Sequence, residues 1–292
     1  MRAKVVRKAL ALTSKSGTLA RMEARVPPLK YGLSVANFGT YSDPARFVEL
    51  ARAAENADWE GVFVWDHLAF AWGRPTADPW ILLAAAACAT ERVLLGTLVT
   101  PLPRRRPHVV AVTVATLDRL SGGRVVFGAG LGGNKRELTA FGEETDEHVR
   151  AEKLDETLDL LRRWWDGERV THRSSHYRVD DVAVTPKPLQ VHLPIWIGGD
   201  SARARGRARR FDGWAPNVFD AHGMTVGPEQ LTRRLEGLDR AEGFDVVVQG
   251  YSDRTDPDAY ARAGATWWLD SIHDQRGDFD AMLRRVGEGP PR

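Results

Sequence analysis

The stretch from Val93 to Gly133, VLLGTLVTPLPRRRPHVVAVTVATLDRLSGGRVVFGAGLGG, constrains the fold of this chain more than any other. VLLGTLV is an apolar, β-branched run, too short for a helix and closed by Thr100-Pro101. Pro107 opens a helix, as proline at a first helical position does. Ser121-Gly122-Gly123 ends it with a glycine stop. RVVFGAG is a second buried strand. A strand, a crossover helix and another apolar strand make a parallel βαβ unit. Chemistry in such units gathers at the carboxyl ends of the strands. Here those ends are Thr97-Leu98-Val99-Thr100 and Gly128-Ala129-Gly130.

The same alternation runs from Lys30 onward. Strands are expected at Tyr31–Ala36, Gly61–Trp65, Pro194–Ile197, Asp212–Ala215, Asp245–Gly250 and Ala265–Leu269. Helices are expected from Asp43-Pro44 to Ala57, Asp78-Pro79 to Thr90, Glu147 to Asp166, after Asp200, from Pro228 to Glu242, Pro257 to Ala263 and Asp278 to Val286. Arg169 to Val184 alternates like a hairpin and reads as an insertion after the fourth helix. Eight βα units fold either as a closed barrel or as a large doubly wound sheet. No Ser/Pro-rich linker divides residues 30–292, which read as one domain. A (β/α)8 barrel typically takes about 250 residues.

Composition narrows the setting. Apolar residues make up 43% and charged residues 27%, ordinary for a globular protein. No run reaches the ~18 apolar residues of a membrane span. The one cysteine, Cys88, lies in an apolar helical run and reads as a small buried hydrophobe. A lone cysteine fits a cytoplasmic setting. Residues 1–30 hold eight Lys or Arg and one Glu, +7 against +2 for the whole chain, so the rest carries −5. The head at 1–29 reads as a disordered basic tail, or as the product of a start upstream of a native one at Met22. Its apolar stretch, Ala9–Leu12, is shorter than the ~7–15 residues of a signal-peptide core. Without this tail nothing points to nucleic acid.

Several constellations sit at strand ends. Asp66-His67 closes the second strand, where a histidine can donate a proton or a hydrogen bond near working pH. Spacing alone leaves a catalytic pair and a structural pair both open. Gly128–Gly133 matches G-x-G-x-x-G, but the glycines do not open a helix and no acid follows a next strand ~20 residues on, so a Rossmann reading fails. Ile197-Gly198-Gly199-Asp200-Ser201 leads a strand into a helix start, a place suited to phosphate. Arg104-Arg105-Arg106 reads as a solvated basic loop or a contact for a polyanionic tail. His172 and His176 have metal-like spacing but no third ligand nearby. Asp66 and Asp270 are the only acids placed for paired-carboxylate chemistry.

Leu95-Gly96-Thr97, Arg106-Pro107, the run Ala115–Arg124 and Gly128-Ala129-Gly130 together resemble the bacterial luciferase-like family of flavin- and deazaflavin-dependent oxidoreductases. Pro186-Lys187-Pro188-x-Gln190 and Asp212-Gly213-Trp214 extend the likeness, which covers about Lys30 to Gly289. It implies the (β/α)8 TIM barrel and coenzyme F420 or FMN as cofactor. It implies His67, with Asp66 beside it, at the reactive ring edge. Trp72 falls one place later than the pattern expects. The cofactor would rest on Leu98, Val99, Thr100 and Gly130, with a non-proline cis peptide at Leu98–Val99, and near Asn134 and Glu137. Its phosphate would lie at Gly198, Gly199, Asp200 and Ser201. One of Trp267-Trp268 is expected as a pocket wall, and the hairpin near Arg169–Val184 as one side of the entrance. The family further implies a small-molecule substrate, a homodimer and, for some members, a separate flavin or F420 reductase. An FMN-dependent monooxygenase and a non-catalytic flavin-binding barrel stand as alternatives. The chain runs short for the family between the sixth helix and the seventh strand.

Overall fold

A computed structural model describes residues 28–220 and 222–291; the basic head up to residue 27, with Met22, lies outside the described residues. The first half of the barrel holds β1 (Lys30–Val35), α1 (Pro44–Asn56), β2 (Gly61–Val64), α2 (Pro79–Ala89), β3 (Leu94–Pro101), α3 (Pro107–Leu120) and β4 (Val125–Gly130). After it come α4 (Lys135–Ala140), α5 (Glu147–Trp165) and a hairpin of β5 (Val170–Arg173) and β6 (Arg178–Val182). The second half holds β7 (Ile195–Gly198), α6 (Ala202–Ala208), β8 (Gly213–Ala215), the two-residue strands β9 (Phe219–Asp220) and β10 (Gly223–Met224), and α7 (Pro228–Leu235). It closes with β11 (Asp245–Gly250), α8 (Pro257–Arg262), β12 (Trp267–Ile272) and α9 (Phe279–Gly287).

Eight parallel strands close in the order β1-β12-β11-β8-β7-β4-β3-β2. This is the expected TIM barrel, and the hairpin stands apart as its own two-stranded sheet. Asp43, Asp78, Asp146, Asp256 and Asp278 cap helix starts with their carboxylates, so α1, α2, α5, α8 and α9 each begin where an acid accepts an orphan amide. One apolar layer lies between strands and helices: Phe47, Leu50, Ala51 and Ala54 form the inner stripe of α1. A second cluster fills the barrel itself, with Phe63, Trp196 and Trp267 in mutual contact at centroid distances of 4.9, 5.4 and 5.9 Å. Among the described residues no helix is long and apolar enough to cross a membrane.

Four local expectations are corrected. Cys88 is exposed, together with Ile81 on the same face of α2; that helix is apolar all round, so periodicity could not tell its inner face. The helix from Pro228 stops at Leu235 rather than Glu242, because Gly237 turns the chain at φ +70°. Residues after Asn134 form the short α4 instead of a loop, with the Asn134 carboxamide accepting the amides of Arg136 and Glu137. The hairpin does not frame an entrance. His172 and His176 hold it against α5 through Glu156 and Glu152, and the Trp164 indole donates to the Val182 carbonyl.

Candidate active site

His67 follows β2 and stands on the carboxyl-terminal rim. Asn37, just past β1, fixes its backbone: the Asn37 oxygen accepts the His67 amide at 3.0 Å and its nitrogen donates to the His67 and Ala77 carbonyls at 2.9 Å. The imidazole Nδ1 meets Glu137 Oε1 at 2.6 Å. The other oxygen of Glu137 accepts the Leu68 amide at 3.1 Å. Glu137 is itself placed by the Asn134 cap, one turn into α4. Burial pushes the Glu137 carboxyl up, but the His67 ring, the Leu68 amide and Arg104 outweigh it and hold the group below the usual carboxylate range. A carboxylate at Nδ1 fixes the tautomer, so Nδ1 carries the proton and Nε2 is left for the cavity. Phe38, Trp65 and Trp72 surround the ring at 5.9, 5.9 and 5.3 Å between centroids. The one-place offset of Trp72 does not keep it from the site.

Asp66 points elsewhere. Its side chain is 1% exposed and takes Arg105 in a two-pronged pair, with nitrogen–oxygen distances of 2.7 to 3.0 Å. Arg104 adds a contact at 2.7 Å to Oδ1. Neighbours on an extended chain face opposite sides, and here the acid faces the loop after β3 while the imidazole faces the cavity. Arg104 and Arg105 are therefore not a solvated loop; they clamp β2 to β3, while Arg106 is exposed. Asp270 is likewise held by Arg276 and Arg285, so the paired-carboxylate reading loses both its acids.

The Leu98–Val99 peptide is cis. Between Thr97 and Thr100 the β3–β4 register shifts, three steps on β3 opposing two on β4, and the two threonine hydroxyls bridge the bulge at 2.8 Å. Thr100 thereby lies inside the wall rather than in the cavity. Leu98 lines the cavity, and the partly buried Val99 packs in a slot between Gly130 and Gly198. A Cβ on Gly130 would lie 2.6 Å from Val99 Cγ2, and one on Gly198 would lie 2.6 Å from Val99 Cγ1. These glycines make room for Val99 and join β3, β4 and β7 at one spot. Gly199 donates its amide to the Ala215 carbonyl and its own carbonyl accepts the Trp214 indole, so that amide is not free for a phosphate. Ser201 caps that helix at Ala204, and Asp200 pairs with Arg234.

His67 and Leu98 meet in a cavity of about 700 Å³, together with Asn134 and Trp72. The far wall comes from residues the sequence reading missed: Asn217, Asp220, Gln249, Tyr251, His273 and Asp274. Gln249 is the last residue but one of β11, and His273 follows β12, so the strand-end rule applied to the last two strands points to them. Trp65 donates its indole N–H to Ser34 Oγ at 2.7 Å, and the Ser34 hydroxyl donates to Gln249 Oε1 at 2.6 Å. Indole can only donate, so the direction of this relay is fixed and the Gln249 NH2 is left toward the cavity. His273 Nε2 and the Tyr251 hydroxyl are 2.8 Å apart. Burial, then Arg276, pushes the His273 pKa down. Neither Trp267 nor Trp268 lines this cavity. Both sit at the start of β12, far below its rim: Trp267 fills the barrel and Trp268 packs outside it on Tyr260.

The sequence matches the luciferase-like monooxygenase family over residues 26–288. The chain belongs to this family. Curated relatives include an F420-dependent glucose-6-phosphate dehydrogenase of Nakamurella multipartita, 33% identical over 73% of this chain. Another of the same name, from Microbacterium testaceum, is 35% identical over 73% of this chain. The matches span 66% and 64% of the length of those two proteins. Among solved structures, an F420-dependent secondary alcohol dehydrogenase in complex with an F420–acetone adduct aligns at a TM-score of 0.71 and 17% identity, over 89% of this chain and 99% of that one. At that identity the likeness speaks for the fold alone. The family run Ala115–Arg124 is a structural device at the opposite end of the barrel from His67. Asp118 accepts the amides of Leu189 and Gln190, and Arg124 donates to the carbonyls of Ala87, Thr90, Val93 and Ser121.

Proposed function

We propose that this protein is an F420-dependent oxidoreductase that moves a hydride between the deazaflavin and a small organic substrate. The observation that carries the reading is the His67–Glu137 pair, with one ring nitrogen held by a carboxylate and the other directed to an aromatic-walled cavity. The names of the relatives at 33% and 35% identity favour F420 over FMN. The residues fit a flat heterocycle: Phe38, Trp65, Trp72 and Leu98 supply apolar walls, and the cavity volume lies within the range of ligand sites. When bound, the deazaflavin supplies the hydride acceptor or donor. The protein supplies the proton path. His67 Nε2 takes the hydroxyl proton of an alcohol as its carbon is oxidised, or returns it to a carbonyl oxygen in reverse. Glu137 stabilises the imidazolium formed in that step. Phe38, Trp65 and Trp72 keep water off the ring.

Titrating the purified protein with F420 and with FMN, each by fluorescence quenching, tests the cofactor. F420 is expected to bind the more tightly. Tighter FMN binding favours the monooxygenase reading, and binding of neither favours a barrel without turnover. His67→Ala is expected to lower turnover by ~100-fold or more, the scale of a lost general acid–base, while cofactor affinity stays within a few fold. The homodimer belongs to the same reading. Ile81 on α2 and Val109 and Val112 on α3 are each more than half exposed, an apolar face that a second copy would cover. Light scattering coupled to size exclusion reads that mass directly.

A further inference from the structure

Two of the relatives are named as dehydrogenases of a phosphorylated sugar, and a site for such a dianion needs cations that face it. Among the described residues that line this cavity, Arg74 is the only Lys or Arg. It is engaged already. Its guanidinium pairs with Asp274 and lies 5.0 Å over the Phe38 ring. Asp274 in turn accepts the Thr40 amide at 3.2 Å with both oxygens. The lock is built into the backbone: Gly39 stands at φ +66°, and a Cβ there would lie 1.8 Å from Asp274 Oδ2. The pair therefore ties the loops after β1, β2 and β12 together. Asp220 also lines the cavity, and no basic side chain among the described residues forms an ion pair with it. Its histidines aside, the lining holds one arginine against two aspartates. The remaining polar lining is Asn134, Asn217, Gln249, Gln275 and Tyr251, beside His67 and His273.

We propose that the substrate of this site is an uncharged alcohol or carbonyl compound, and that the cavity rejects phosphate esters. This rests on the oxidoreductase reading above. The reaction removes a hydride from the carbon that bears the hydroxyl, leaves its electron pair with the cofactor and releases the hydroxyl proton to His67, or runs in reverse. Neither the alcohol nor the carbonyl brings a charge into the cavity. A phosphate ester brings two negative charges beside Asp220 and Asp274, and the arginines around the cavity already face acids: Arg74 pairs with Asp274, Arg276 with Asp253 and Asp270, and Arg254, which lies over the Tyr251 ring, with Asp253. Discrimination here comes from repulsion of the wrong substrate as much as from attraction of the right one.

Trp65 and Trp72 line the cavity, so ligand binding is read by tryptophan fluorescence. Glucose, glucose 6-phosphate, cyclohexanol and cyclohexanone are titrated into the protein with and without bound F420. The expected result is that at least one uncharged compound binds, and that glucose 6-phosphate binds at least tenfold more weakly than glucose. Asp274→Asn releases the Arg74 guanidinium and is expected to raise glucose 6-phosphate affinity at least tenfold. Equal or tighter binding of glucose 6-phosphate by the unaltered protein overturns the proposal. So does failure of every uncharged compound to bind, or an Asp274→Asn protein, folded by its melting transition, whose preference is unchanged. Loss of F420 binding alone overturns the oxidoreductase reading, while the selectivity measured on the protein without cofactor still decides this one.

Discussion

The two ends of the barrel are built from the same eight strands and are used differently. Toward the amino-terminal end the interior is filled by Phe63, Trp196 and Trp267, three large rings in contact. At the carboxyl-terminal end the strands open into a cavity of about 700 Å³ lined by His67, Gln249 and His273. Charge is handled differently too. At the lower end Asp118 and Arg124 are consumed by backbone groups of neighbouring loops. At the upper end Glu137 leaves one face of an imidazole available. The lower end is organised for packing and the upper end for exchange with a ligand. Substitutions at the two ends should therefore separate stability from turnover.

Trp196→Ala should break the lower end most severely. It empties the middle of the ring cluster and is expected to cost about 3–5 kcal/mol of stability, read by denaturant unfolding. If the loss is under about 1 kcal/mol, the plug is not what holds the barrel. Glu137→Gln keeps shape at the upper end and removes the charge on His67 Nδ1. We expect turnover to fall roughly tenfold, about 1.4 kcal/mol in the transition state, with a melting temperature close to that of the parent. Unchanged turnover would remove Glu137 from the proton path.

The smallest effect concerns pH. Burial depresses the His273 pKa below its unfolded value of about 6.5. A histidine kept neutral in the fold adds stability that is fully present above that value and is lost as pH falls through the lower folded one. The melting temperature should therefore decline as pH drops from about 6.5, and His273→Gln should make that decline shallower. An identical slope in the two proteins would mean that His273 is protonated as easily in the fold as outside it.

Much of the lower end was legible in the sequence, and less of the upper end. Asp118, Gln190 and Arg124 sit in ordered words because each meets fixed backbone groups, which demands one residue type at one spacing. The eight strands were legible because apolar runs alternate with capped amphipathic helices. His67 and Leu98 were legible as ends of strands within such words. Asp66 was not read correctly, since its partners Arg104 and Arg105 lie 38 and 39 residues away and the sequence does not show which side of the chain each neighbour faces. Asn217, Tyr251 and Asp274 lie in the loops after β8, β11 and β12, and Asp220 in the two-residue β9, where loop conformation decides which side chain turns inward. Phosphate contacts inferred from Gly198-Gly199 meet a similar limit, because the Gly199 amide is taken by Ala215 across the sheet.

The slot that holds Val99 has a bearing on how this barrel can change. Its two methyl groups occupy the places where side chains at 130 and 198 would begin. An alanine at either position is closed to a single mutational step while valine stays in place. Residue 99 must shrink first, and only then does either neighbour gain freedom. Histories of this wall should therefore run in one order, with the branched residue as the gatekeeper of three strands.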